Sequence, residues 1–356
     1  MCMNRDLLDI YSDYLICSFG ATTATGLSAL LSGAISHDRI TRFLSDETST
    51  SADMWKLVKP IARQIQSDEA VLIIDDCISE KPYTDESELV CWHFDHTENR
   101  NVKGINLLTA LYHSKDVSLP VAFELIKKTE LVTDEKTGKQ RRKSLKTKNE
   151  YYREMLSTCI DNELPFRYVL SDIWFSSAEN MRFVKETIKR DFIMPLRCNR
   201  KIALSRKDKQ MGEYVSLSSL SPEEDTTLPV WLEGVDFELI LTKQVFTNGD
   251  GSQGILYLVS SDTTLSAQDM KTIYHKRWKV EEYHKSISCN TSFAKSPTKT
   301  IKTQSNHFFA SIYAYVKLNT LSGQHKLNHF AMKAKLYHAA ISSAYQQLQV
   351  LKACVT

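Results

Sequence analysis

Apolar positions recur at helical spacing through the first 68 residues, as in DLLDIYSDYLICSF and DMWKLVKPIARQIQ. Between these runs, SGAISHDRITRFLS places Gly33 where one helix can stop and Ser36 where the next can be capped. The pattern predicts a small helical module over 1–68, and a short helix–turn–helix of this kind suits DNA. The texture then changes. AVLIID, residues 70–75, is apolar on both faces, as a central buried strand is, and it closes on Asp75 and Asp76. GINLLTALY and LPVAFELI predict two further strands across the turn-like HSKDVS. A helix (NEYYREMLSTCI), a strand (RYVLSD), a helix (AENMRFVKETIKR) and a strand (DFIMPL) follow. Three consecutive strands, then helix–strand–helix–strand, describe an α/β mixed sheet flanked by helices over 69–196.

Residues 197–262 read differently. FELILTKQVF and GILYLVSSD flank TNGDGSQ, a strong hairpin signal because Asn-Gly and Asp-Gly supply positive φ. WLEGVD and GEYVSLSSL predict more strands, so this segment is a β-rich insertion. Helix returns at Ser266, where Ser266 and Asp269 form a capping-box start, and continues through a final region, 263–356.

Composition narrows the class. Of 356 residues, 42% are hydrophobic and 25% charged, as in ordinary soluble globular chains large enough for two domains. No run of about 18 uncharged apolar residues offers a membrane span. Acids interrupt the N-terminus where a signal peptide would be apolar. The eight cysteines form no C-x-x-C pair, which argues against a disulfide framework or structural zinc and for reducing cytosol.

The net charge of +2 conceals an uneven distribution. From Tyr283 to Thr356 there are nine lysines and no Asp or Glu, leaving 36 basic and 43 acidic residues in 1–282. A second basic cluster, Lys136 to Arg153, holds eight Lys/Arg, including Arg141, Arg142 and Lys143, against the single Glu150. A charge run can be only a solvated face. Two of them, one with Phe308, Phe309, Tyr313 and Tyr315 beside it, point to nucleic acid.

Acids at strand ends are the candidate chemistry. Asp75 and Asp76 close one apolar strand and Asp172 another, where ligands bind in open sheets and where acids can hold hard cations. The plainer role for Asp172 is a helix N-cap. In YHKRWKVEEYHKSIS, Tyr274, Arg277, Glu281 and Lys285 fall within roughly 80° of helical arc. Val280, His284 and Ile287 lie on a neighbouring, mostly apolar face. Alone, this stripe is also what an amphipathic helix with i, i+4 ion pairs looks like. His93 and His96 in CWHFDH read as structural or DNA-adjacent rather than as ligands.

In this order, IIDD, LSDIWFSS and YHKRWKVEE, with its Y-x2-R-x3-E spacing, resemble bacterial insertion-sequence DDE transposases, specifically the IS-four-like group. The resemblance covers about Val71 to Ser288. It implies an RNase H-like catalytic domain with a β-rich insertion before the Glu. It also implies Asp76, Asp172 and Glu281 as the catalytic, metal-binding triad. Asp76 is favoured over Asp75 because the family's first Asp precedes a small residue, here Cys77. Tyr274 and Arg277 are the signature neighbours. The family Lys seven residues after the Glu is Ser288 here, and Lys285 is the candidate to grip a phosphate instead.

The resemblance further implies two Mg²⁺ ions, with Mn²⁺ as a substitute, serving strand cleavage and transfer. Double-stranded DNA would be the partner, as terminal inverted repeats and as target, held by a homodimer on DNA. The chain would be cytoplasmic and nucleoid-associated, with no membrane contact. Trp231 in the insertion could stack a flipped base or be an ordinary strand tryptophan. Two rival readings stay open: a decayed or domesticated copy that binds without cutting, and a nuclease of the same fold without strand transfer.

Overall fold

The computed structural model describes residues 4–95, 98–133, 135, 138–220, 222–247 and 249–353. Four helices come first: α1 (Arg5–Cys17), α2 (Ala24–Leu30), α3 (His37–Ser45) and α4 (Ser51–Ile65). Ser36 caps α3 by accepting the Arg39 N–H at 3.3 Å, and Gly33 takes φ +80° just beyond α2. Both match the sequence reading.

The middle of the chain runs β1 (Val71–Glu80), β2 (Cys91–Asp95), β3 (Arg100–Ser114), β4 (Val117–Leu125), β5 (Glu130–Thr133) and β6 (Gln140–Lys143). It continues with α5 (Lys148–Asp161), β7 (Tyr168–Ser171), α6 (Ala178–Arg182) and β8 (Asp191–Leu196). The strand β1 lies antiparallel to β3 and parallel to β7, which is parallel to β8. The outer edge of β3 carries β2 and then β4. This is the mixed, helix-flanked sheet of an RNase H-like fold.

Residues 197–262 supply β9 (Lys201–Ala203), α7 (Arg206–Met211), β10 (Val215–Ser216), β11 (Leu228–Leu232), β12 (Leu239–Thr247) and β13 (Gln253–Ser260). Because β13 pairs antiparallel with β8, these strands prolong the central sheet in the order β13-β12-β11-β9-β10. The β12–β13 hairpin uses Asp-Gly: Gly251 has φ +82°. Asn248 of the Asn-Gly pair lies outside the described residues, as does His96.

The last quarter is helical: α8 (Ala267–His275), α9 (Trp278–Asn290), α10 (Ile301–His325) and α11 (His329–Ala353). The Ser266–Asp269 capping box is present at α8. Helix α10 is buried nearly all round, as a core helix should be. It binds the N-terminal helices to the rest. The Tyr11 hydroxyl meets His307 Nδ1 at 3.0 Å, and Asn306 accepts the Ser49 N–H at 2.9 Å.

Five sequence expectations change. First, β1 does not stop at the aspartates but runs on to Glu80, paired with β3 as far as Gly104. A Cβ at Gly104 would lie 2.4 Å from the Ser79 carbonyl oxygen, so the glycine permits this extension. Second, the basic cluster begins as a strand: Arg141, Arg142 and Lys143 belong to β6, in a two-stranded ribbon with β5. Third, GEYVSLSSL forms only a two-residue strand before a 3₁₀ turn, and WLEGVD leaves its strand at Leu232. Fourth, AENMRFVKETIKR is not one regular helix, because α6 widens into a π-helical turn over Phe183–Thr187.

Fifth, Tyr274–Ser288 is two helices. Three-residue hydrogen bonds (Arg277 N–H to Tyr274, Val280 N–H to Arg277) tighten the turn between α8 and α9. Three of the four aromatics named beside the acid-free segment also offer no nucleic-acid surface, Tyr313 alone being partly exposed. Phe308, Phe309 and Tyr315 are buried in the core. None of the described helices is long and apolar enough to cross a membrane.

Candidate metal centre

The parallel pairing of β1 with β7 ends at Ile74 and Ser171, where the β7 chain turns away at Asp172. Beyond that point β1 is paired with β3 alone, so its other edge is open. A cavity of about 570 Å³ straddles this edge, lined by Asp75, Asp76, Asp172, Glu281 and His284 among others. Successive strand residues face opposite sides of a sheet. At an open edge both aspartates nonetheless border one space, Asp75 toward α9 and Asp76 toward α5.

Asp76 is held by two donors on one oxygen. Asn106 Nδ2 of β3 donates to its Oδ2 at 2.6 Å, and the Lys148 ammonium at the start of α5 donates at 2.7 Å. Asp172 does serve as the cap of a 3₁₀ turn, its Oδ1 accepting the Ile173 N–H at 2.5 Å, and it also lines the cavity. Its two sequence readings are compatible.

On α9, Arg277 sets the position of Glu281. Its Nη1 lies 3.2 Å from Glu281 Oε1 and 3.6 Å from Asp75 Oδ2, with the guanidinium mostly buried. The tight turn aims Tyr274 inward as well, where its hydroxyl donates to the Ser171 carbonyl at 3.4 Å. Tyr274 and Arg277 therefore tie the helix pair to the end of β7. Lys285 points elsewhere, its ammonium 5.4 Å from the centre of the Phe330 ring on α11. Ser288 is exposed. Glu282 turns away to pair with Lys279 at 2.9 Å.

Electrostatics mark the site. Burial, then the charges of Asp76, Glu281 and Asp172, push the Asp75 carboxyl well above the usual carboxylate range, against the pull of Arg277. Burial holds the His284 imidazole down to about 4, so it is neutral at physiological pH, although Asp76 favours its charged form. Asp75, Glu281 and His284 each offer a ligand atom, and these atoms lie within 4.8 Å of one another. Hard carboxylate oxygens crowded until one resists ionising are a donor set that a divalent cation satisfies.

Sequence reasoning passed over several of these residues. His284 was placed with an apolar face, although its spacing from Glu281, one helical turn, was a usable signal. Lys148 and Asn106 carried none, since only tertiary structure brings them to Asp76. Trp174, half-exposed on the turn after Asp172, lines the cavity, and the Arg197 guanidinium lies 4.2 Å from its ring centre. Trp231 is half-buried in β11 and is not among the lining residues. His93 is buried in β2.

An RNase H-like sheet with acids gathered at the β1–β7 edge defines a nuclease-type enzyme. The chain belongs to the DDE transposases: residues 2–212 match the family described as DDE superfamily endonuclease, and residues 124–317 match the transposase DDE domain. The first match takes in Asp75, Asp76 and Asp172, and the second takes in Asp172, Glu281 and His284. Enzymes of this class act on DNA and generally use divalent metal ions. A search of curated proteins finds no match to the sequence.

Proposed function

We propose that the protein binds the terminal inverted repeats of an insertion sequence, cuts them, and joins them to target DNA. The observation that carries this reading is the cavity at the open edge of β1, where Asp76, Asp172 and Glu281 meet across 96 and 109 residues of chain. In this reading residues 1–68 serve DNA binding, 69–196 with 263–356 form the catalytic core, and 197–262 is the insertion.

Asp76, Asp172 and Glu281 would hold two Mg²⁺ ions, or Mn²⁺ in their place. Bound there, the cations would lower the pKa of an attacking water or 3′-hydroxyl and stabilise the leaving oxygen. The chain's own residues do the positioning. Arg277 orients Glu281, Asn106 fixes Asp76, and Tyr274 keeps the helix pair against β7.

The basic β5–β6 ribbon supplies a path for the duplex. Lys143 is five residues from Lys148, which places it within about 17 Å of that site residue by chain length alone. Arg141 and Lys143 are exposed. Lys285 is exposed too, and a phosphate would have to draw it away from the Phe330 ring. Part of the acid-free C-terminal charge is already spoken for, because Lys317 pairs with Asp9 at 2.7 Å and Asp13 at 2.6 Å on α1.

Self-association on DNA has support in α11, where the exposed Tyr337, Ile341, Leu348 and Leu351 keep coiled-coil spacing. Ser288, with Lys285 turned toward α11, favours one second reading, a decayed or domesticated copy that binds DNA without cutting.

The test uses the full chain, Mg²⁺ or Mn²⁺, and a plasmid carrying the DNA that flanks the coding region. Cleavage at the element ends, followed by products joined to a second plasmid, is the expected result. Cut ends that never join would leave the nuclease reading, and binding without cleavage would leave a decayed copy.

A further inference from the structure

His284 has no place among the acids of the triad, yet it lines their cavity beside Asp75 and Glu281. It sits one turn after Glu281, so both side chains leave the same face of α9. A ring nitrogen of His284 lies within 4.8 Å of ligand oxygens of Asp75 and Glu281. The side chain is 8% exposed, and its Nε2 is buried without a hydrogen-bond partner.

A packed core histidine would find a partner for that nitrogen, since leaving a buried polar atom unpaired is costly and uncommon. An imidazole with such an orphaned nitrogen, set beside two carboxylates, calls for an ion or a water. Glu and His at i, i+3 on one helix supply ligands to a single metal in carboxylate-bridged helical bundles, so the spacing is chemically competent.

We propose that His284 is a metal ligand, so that Asp75, Glu281 and His284 form a mixed oxygen–nitrogen site selective for a first-row transition dication such as Mn²⁺ or Co²⁺ over Mg²⁺. The inference rests on the metal-centre reading above. It departs from that reading in bringing in Asp75 and an imidazole. Imidazole suits transition metals, whereas Mg²⁺ prefers oxygen ligands and its own waters. The three ligands come from α9 and β1, while Asp76, which borders the same cavity, keeps its bonds to Lys148 and Asn106.

The experiment loads the full chain, without DNA, with MnCl₂ and reads electron spin-echo modulation from the bound ion. Nitrogen modulation in the wild type, changed in frequency by ¹⁵N-histidine labelling, is expected. In His284→Gln the modulation should vanish and Mn²⁺ affinity should fall about tenfold, roughly the value of one strong ligand contact. Mg²⁺ affinity, from competition, should change far less. Bound Mn²⁺ without nitrogen modulation would overturn the inference, and needs no variant to fold. If Glu281→Gln then still abolished Mn²⁺ binding, the carboxylate centre would stand without His284. Failure of the wild type to bind Mn²⁺ at all would overturn the metal-centre reading and this inference together.

Discussion

Arg277 Nη1 lies 3.2 Å from Glu281 Oε1, and the same nitrogen lies 3.6 Å from Asp75. One guanidinium thus bridges a helix carboxylate and a strand carboxylate that line the same cavity. The adjacent Glu282 belongs to a surface pair with Lys279. Glu281→Gln should abolish plasmid cleavage while leaving DNA binding intact or slightly tighter, because a charge that repels phosphate is lost. Glu282→Gln should keep most activity and shift stability by no more than about 0.5 kcal/mol. Gel assays of binding and nicking on both variants check this.

The raised pKa of Asp75 predicts a pH signature in metal-free protein. A carboxyl whose folded pKa lies above its unfolded one favours the fold most below the ordinary carboxylate range, where it is protonated in both states. That stability drains away as pH rises toward the folded pKa. Asp75→Asn should therefore stabilise the chelated protein at neutral pH, by about 1–3 kcal/mol. The gain should shrink toward pH ~4. Thermal melts in EDTA across that range measure it. Divalent metal should narrow the difference by stabilising the wild type.

If Asp76 holds a cation, Lys148 must compete with it for the same carboxylate oxygen. Lys148→Met removes a charged donor held at 2.7 Å, and the freed carboxylate should bind Mn²⁺ more tightly, by roughly tenfold, the worth of a charge-assisted hydrogen bond. Calorimetric titration without DNA reads this directly. Unchanged affinity would mean that the ammonium gives way to metal at no cost.

The β5–β6 ribbon should make its contribution visible through salt. Arg141→Ala and Lys143→Ala should each lower the slope of log affinity against log salt by about 0.9, with no change in Tm. Fluorescence anisotropy at several salt concentrations is sufficient. Slopes that stay put would return the ribbon to a solvated surface.

The seam on α11 predicts that Ile341→Asp with Leu348→Asp abolishes assembly on DNA without unfolding the monomer. Both side chains are exposed, so their replacement leaves no cavity. Light scattering of the protein–DNA complex distinguishes one copy from two.

Most of this architecture was legible because its signals are local or periodic. Val71–Ile74 is apolar on both faces since β3 and β7 flank it and helices cover it, and the hairpin before Gln253 announces itself through glycine. The choice of Asp76, Asp172 and Glu281 rests on the order and spacing that carry the family resemblance. What escaped detection depended on distant chain. The extension of β1 past Asp76 hinges on Gly104, and the contacts of Asp76 hinge on Asn106 and Lys148. The break before Trp278 has no glycine or proline to mark it, since Lys276 and Arg277 keep helical backbone angles. That break shifts the phase of Tyr274 and Arg277 against Glu281 and Lys285, which share one unbroken helix. The acid-free C-terminal segment reads differently in the fold, because its Lys317 answers Asp9 and Asp13 on α1.

The bond between Tyr11 and His307 spans 296 residues. During synthesis at roughly 5–20 residues per second, α1 leaves the ribosome some 15–60 seconds before the helix it docks against exists. Leu7, Leu8 and Leu15 spend that interval without the α10 surface they pack on. A nascent chain in this condition is a natural client for chaperones, and a ribosome that stalls before Asn306 releases a sticky remnant. Interrupted translation should thus end in aggregation and proteolysis, and not in stray, folded N-terminal fragments.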